Sequence, residues 1–283
     1  MINGRRPLAI THLCFSVLLS FAASAEVHAP RDARALFLAG KRKEAVAALR
    51  ARGGADAERR GRILAEQFVT AENFQRYQDM KDLAEAELWP ECLKVAERVT
   101  AEDKTNLLVL RAQAHCNLRQ GKASEAQSAY QAALELDPRE PDALMGLSLL
   151  ALEQKHPEEA ARILEPLVKN QPKNGAELER LALLRAEIAL EGGRLDDAIA
   201  LLQSHHERHI DHVETFYRLA ELFQKKKGAE WMSRRTYAQF IVRYRKLPEG
   251  DVRRRRLANQ FNEAQAKLAT LDKKLEVMPR TTP

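Results

Sequence analysis

Pro138 and Pro172 stand 34 residues apart, and the residues leading up to each follow one pattern. Counted from Leu107, Leu110, Ala114, Gly121, Ala126, Tyr130, Ala133 and Pro138 hold positions 4, 8, 15, 20, 24, 27 and 32 of the stretch 107–140. Residues 141–174 place Leu144, Leu147, Ser148, Ala160, Leu164, Leu167 and Pro172 on the same grid. Repetition at such a period constrains a chain more than any local signal, because each unit must bury its apolar face against its own neighbours.

The spacing has a physical meaning. Two helices cross closely only where side chains are small, which suits Ala114 against Ala126 and Ser148 against Ala160. Larger residues at positions 4, 7 and 24 fill the space on either side. A proline just past a helix stops it, and Pro141 in the first turn of the next sacrifices no hydrogen bond. This 34-residue helix-turn-helix pattern, small at its eighth and twentieth positions with Pro at its thirty-second, resembles the tetratricopeptide repeat. The resemblance implies an all-α fold, a right-handed α-solenoid of such repeats, closed by a C-terminal helix that either caps it or forms a coiled coil.

The grid predicts five repeats between 73 and 246: 73–106, 107–140, 141–174, 179–212 and 213–246, with Gly175–Leu178 as a four-residue insertion. Residues 26–72 read as degenerate helices of the same kind, with Ala33, Leu36, Gly40, Ala45 and Leu49 matching one unit. Between Gly53 and Glu72 the register breaks, leaving open one extra helix or the start of a very long one. Pro166 falls inside a second helix and should kink it or shift its hydrogen bonding. No segment shows strand periodicity.

The first 25 residues have the build of a cleaved secretory signal: Arg5 and Arg6, an apolar stretch from Leu8 to Phe21, then Ala23-Ser24-Ala25. An uncleaved anchor is the alternative. Export to the periplasm or cell envelope follows as an expectation. The chain carries 46 Lys or Arg against 40 Asp or Glu, unevenly placed: residues 225–283 hold 16 and 6. A basic end suggests contact with anionic lipid head groups or an acidic partner, against the plainer reading of a solvated face. Nucleic acid is not expected as a partner of an exported chain. Within 247–283, Leu257, Phe261, Ala264, Leu268, Leu271, Leu275 and Met278 form a heptad seam, which predicts a helix capping the last repeat or, alternatively, a homodimer through 257–278.

No nucleophile elbow, phosphate loop or Cys-x-x-Cys pair stands out, and repeats account for nearly all of the chain, so no enzyme activity and no cofactor are expected. His205, His209 and His212 are the one cluster that invites a metal, but the grid ends the helix before His212, so the ligands should diverge, and packing with helix-end capping is the expectation. Cys92 and Cys116 sit on adjacent predicted helices; geometry permits a bridge, with two separately buried thiols preferred.

What the resemblance then implies is a concave groove that holds a peptide or amphipathic helix of a partner protein. Carried over by position, its residues are Tyr77, Lys81, Leu108, Arg111, His115, Arg119, Met145, Leu149, Leu152, Leu183, Glu187, Leu190, Tyr217 and Glu221. Leu149, Leu152, Leu183 and Leu190 suit such a groove, or else pack on neighbouring helices.

Overall fold

A computed structural model describes residues 31–277, so the expected signal at 1–25 and Met278 lie outside the described residues. Those residues form fifteen α-helices and no strand. In order they are α1 (Arg31–Leu38), α2 (Arg42–Arg50), α3 (Ala55–Glu66), α4 (Ala71–Glu85), α5 (Trp89–Glu102), α6 (Leu107–Arg119) and α7 (Ala123–Leu136). Then follow α8 (Pro141–Glu153), α9 (Pro157–Lys169), α10 (Gly175–Glu191), α11 (Leu195–Arg208), α12 (Val213–Lys225), α13 (Glu230–Lys246), α14 (Val252–Arg256) and α15 (Ala258–Val277). The chain divides into two compact units at Ala143/Leu144, within α8.

The small-residue crossings hold. Ala114, Ala126, Ala160, Ala186, Ala198 and Ala220 are at most 1% exposed, and Ser148 donates its hydroxyl to Ala160 O at 2.9 Å. Ser233 does the same to Ala220 O. A buried hydroxyl between close backbones is tolerated only when satisfied, and here the facing helix satisfies it.

Position 15 of the repeat turns the first helix into the second through a left-handed residue. Gly121 (φ 73°) and Gly193 (φ 74°) adopt it freely, whereas Glu87 (φ 58°) and Lys155 (φ 64°) hold it with a side chain, at a cost of about 1 kcal/mol each.

The register break resolves into one extra helix. α3 ends when Gln67 turns extended (ψ 127°), and α4 starts afresh with the Thr70 hydroxyl accepting from Asn73 N. The insertion Gly175–Leu178 adds a turn to the front of α10, capped by Asn174, so the crossing residue Ala186 keeps its place. α9 runs through Pro166 to Lys169.

In the first unit, α2 and α3 lie along the loops that join one repeat to the next, an arrangement fixed by arginines. Arg42 of α2, 3% exposed, pairs with both oxygens of Asp103 and reaches Gln67 O. Asn106 caps α6 with its side-chain oxygen and donates its amide to Glu66 O and Gln67 O at 3.2 Å. One repeat later, Arg50 meets Asp137 at 3.2 Å. Arg42–Asp103 is a buried pair whose lone partner would be costly to strand.

Cys92 of α5 and Cys116 of α6 form a disulfide across Cα atoms 6.5 Å apart, both fully buried. This corrects the expectation of two separate thiols: the second helix of one repeat packs on the first helix of the next, which brings the two Cα atoms within bridging distance. Met80, Leu93, Ala96, Val99 and Val109 enclose the bond.

In the second unit the core is aliphatic around α10 and α11 and aromatic at its C-terminal end. Tyr217 meets both Tyr237 and Phe240 edge to face, and Tyr244 stacks on Phe261 at 4.3 Å. The heptad seam packs here: Leu257, Ala264 and Leu271 are at most 5% exposed in the cluster of Val213, Phe216, Tyr237 and Phe240, with Phe261 and Leu268 packed against it. α15 thus lies on α13 as α12 lies on α11, in the place of the first helix of a further repeat.

Candidate functional site

The positions carried over by resemblance meet different surroundings in the two units. In the first unit, Tyr77 is half-buried beside Phe68 (ring centroids 5.4 Å), with Lys81 Nζ 5.9 Å from its ring; burial holds the phenol above its usual range. Phe68 also meets Phe74 edge-on at 5.6 Å, making a three-ring cluster in which Phe74 is 39% exposed. Leu108 is half-buried. Arg111 is engaged by Glu140, 3.1 Å from its Nε, and by Asp142. Glu140 is fully buried; desolvation pushes its carboxyl above the usual range, against the pull of Arg111 and of the bond it accepts from Ala143 N.

His115 and Arg119, both exposed, approach Trp89: the imidazole edge-on at 5.7 Å and the guanidinium over the indole at 5.3 Å. Lys81 and Arg119 therefore present cations over aromatic rings, an arrangement worth about 0.5–1 kcal/mol per contact at exposed sites. Phe68 and Trp89 were not among the sequence-derived positions. Phe68 sits off the grid, in the α3–α4 connection, and Trp89 opens a second helix, where the grid assigns no contact role.

In the second unit the carried-over positions are largely engaged by the chain itself. Met145 and Leu152 are each 7% exposed. Leu149, Leu183 and Leu190 are half-buried, and Leu190 packs on the cluster of Ala186, Leu219 and Leu222. Glu187 pairs with Arg218, which also holds Glu221 at 2.9 Å. Tyr217 donates its hydroxyl to Glu263 of α15, and Lys267 reaches Glu221 at 3.1 Å while lying over both Tyr217 and Tyr237. Burial, and then that bond, raises the Tyr217 phenol above its ordinary range.

The basic run is similarly occupied. Arg253 binds Asp251, whose carboxyl falls to about 2 through that hydrogen bond. Arg256 meets Glu214 at 2.9 Å, and Arg254 lies over Tyr244.

The histidines converge, contrary to the expectation that they diverge. α11 ends at Arg208, and the short turn His209–Asp211 folds the chain back, so His212 lands on His205. The three rings of His205, His209 and His212 lie 4.8–5.0 Å apart by centroid, and His205 Nε2 is 2.7 Å from His212 Nδ1. Two ring nitrogens sharing one proton at that distance face each other rather than a common point, and among the described residues no group of three donors has metal-holding geometry. Next to them, His206 stacks on Phe216 at 3.8 Å and donates from Nε2 to Thr215, whose hydroxyl donates to His212 O. Burial, followed by the neighbouring imidazoles and Arg208, lowers His205 to about 4; burial, His205 and Arg243 lower His206 to about 4.

Residues 117–188 match the tetratricopeptide repeat family model. Repeat, crossings and turn agree with that match, and the same helix-turn-helix build continues on either side of it. An 83-residue stretch is 42% identical to cellulose synthase operon protein C of Komagataeibacter xylinus, covering 29% of this chain and 6% of that protein. The match therefore spans a small part of that relative's length. Among solved structures, a thermophilic TPR protein of Thermus thermophilus aligns with TM-score 0.56 and 20% identity over 69% of this chain and 99% of its own. PilW, a type IV pilus biogenesis factor, aligns with TM-score 0.56 and 14% identity over 74% and 94%. PilF of Pseudomonas aeruginosa aligns with TM-score 0.54 and 17% identity over 74% and 93%. These likenesses define the fold.

Proposed function

We propose that the chain is a non-catalytic adaptor of the cell envelope, which holds an acidic peptide or amphipathic helix of a partner protein on the first unit's cation-aromatic face. The observation that carries this reading is that Lys81 and Arg119 lie over aromatic rings with no carboxylate paired to either among the described residues, whereas Arg111, Glu187, Tyr217 and Glu221 are committed to contacts within the chain. A face of exposed cations over indole and phenol rings complements a segment bearing carboxylates and apolar side chains. Repeats of this class serve as protein-binding scaffolds, which supports the partner class.

The envelope assignment draws on the signal-like first 25 residues and on the buried Cys92–Cys116 bond, which suits an oxidising compartment. One similar protein is named for type IV pilus biogenesis and another for a cellulose synthase operon, and both names suit such a place.

Affinity capture from envelope extract tests the reading, with the mature chain and its Lys81→Glu/Arg119→Glu variant as baits. Recovery of the partner should fall at least about tenfold for the variant while its circular dichroism is unchanged. Equal recovery by the two baits would reject the assignment of this face.

A further inference from the structure

On the second unit, beside the histidine cluster, lies a pocket of about 180 Å³. Arg185 of α10, Arg208 of α11, His205 and His209 form its polar wall, and Leu181 and Leu201 are part of its apolar side. Among the described residues no carboxylate lines it. Several buried or half-buried arginines of the chain meet acids: Arg42 has Asp103, Arg111 has Glu140 and Asp142, and Arg218 has Glu187 and Glu221. Arg185 is half-buried, pairs with no acid among the described residues, and shares the pocket wall with a second guanidinium, that of Arg208. Burial, then the charge of Arg208, drives its pKa below the usual range, the signature of a cation lacking a counter-charge.

The pocket opens into a cleft of about 580 Å³, and the two share Arg185, Leu201 and Ser204. The cleft lies between α9 and α11 over α10, with Val168, Ile188 and Ala200 on its walls. Its two acids are already engaged: Glu165 with Lys169 at 2.6 Å and Asp197 beside Arg194 at 4.0 Å. An apolar cleft of a few hundred Å³ leading to a few convergent polar groups is the usual form of a small-molecule site.

We infer that pocket and cleft together bind a small amphiphilic carboxylate, its head between Arg185 and Arg208 and its aliphatic chain along Val168, Ile188 and Ala200. Charge complementarity selects the head, since a carboxylate supplies the counter-charge that neither guanidinium meets among the described residues; Arg208 donates only to the neutral oxygens of Ser204. The apolar walls select the tail, and the absence of a second unpaired charge in the cleft argues against a dianionic or zwitterionic chain.

Calorimetric titration of the full mature chain with decanoate, acetate and decanol separates the parts. Decanoate should bind, with acetate and decanol each at least about thirtyfold weaker, and shortening the acid should weaken binding roughly fourfold per methylene removed. Arg185→Gln should weaken decanoate about tenfold or more without lowering the melting temperature, because no intramolecular pair is lost. Ala200→Trp, which fills the cleft, should remove the dependence on chain length. Failure of decanoate to bind, decanol binding as tightly as decanoate, or Arg185→Gln binding like the parent would each overturn the assignment.

Discussion

The corner where one repeat hands over to the next is built twice from opposite chemistry. In the first unit, positions 31 and 34 of the repeat are Asp103 and Asn106, then Asp137 and Glu140; the three acids accept the arginines of α2 and α6, and the amide of Asn106 ties down the end of α3. In the second unit, the same positions in the 179–212 repeat are His209 and His212, and they stack on each other and lie against His205. One backbone turn thus serves as an anchor for other helices or as a self-contained imidazole cluster. The difference teaches that the repeat fixes where the corner is and leaves its chemistry free, so the two units should respond differently to the same insult.

The largest effects come from single side chains of each core. Asp103→Ala strands a buried guanidinium and should cost about 3–5 kcal/mol in urea unfolding, most of it recovered by adding Arg42→Met. Phe240→Ala, in the aromatic end of the second unit, should cost a similar 3–5 kcal/mol, with no single second-site change to restore it. A rescue in both units, or in neither, would erase the distinction between a polar and an apolar closure.

Next is the covalent link. Cys92→Ser with Cys116→Ser should destabilise by about 3–4 kcal/mol, given a sequence separation of 24 residues, and the loss should show in hydrogen exchange of α5 and α6 before α12 and α13.

Acid should then single out the second unit. His205 and His206 titrate near 4 in the fold and near 6.5 unfolded, so the unfolded chain binds more protons across that window. Stability is full above about pH 6.5 and falls toward pH 4, with a slope of at most about 1.4 kcal/mol per pH unit per histidine, less for the partly exposed ring of His206. His205→Gln should flatten the profile in the second unit alone, followed by exchange at α11 and α12. The smallest change is favourable: Glu87→Gly relieves a left-handed glutamate and should raise stability by about 1 kcal/mol.

The period, the crossings at small side chains, the insertion and the position of the capping helix were all legible in the sequence, because each follows from backbone spacing and residue size. Pairings were not. That Arg111 meets Glu140 and Asp142, or Glu187 meets Arg218, depends on which rotamers face across neighbouring first helices, and a 34-residue grid is silent on rotamers. The expectation that the histidines diverge failed for a related reason: the grid marks where α11 stops but not the direction of the three-residue turn that follows. The preference for separate thiols missed that the second helix of one repeat packs on the first helix of the next. The cysteines fall 24 residues apart across that contact, and only the packing shows the distance to be bridgeable.

One consequence of α15 reaches beyond the folded chain. Stacked units propagate for as long as the last one offers an apolar ledge, and a ledge left bare invites another molecule to continue the stack, end over end, into a filament. α15 turns Leu257, Ala264 and Leu271 inward and leaves Asn262, Gln265, Lys273 and Lys274 to water, so its outer side offers no comparable ledge at those positions. A single twenty-residue helix thus covers the apolar ledge of the last described repeat.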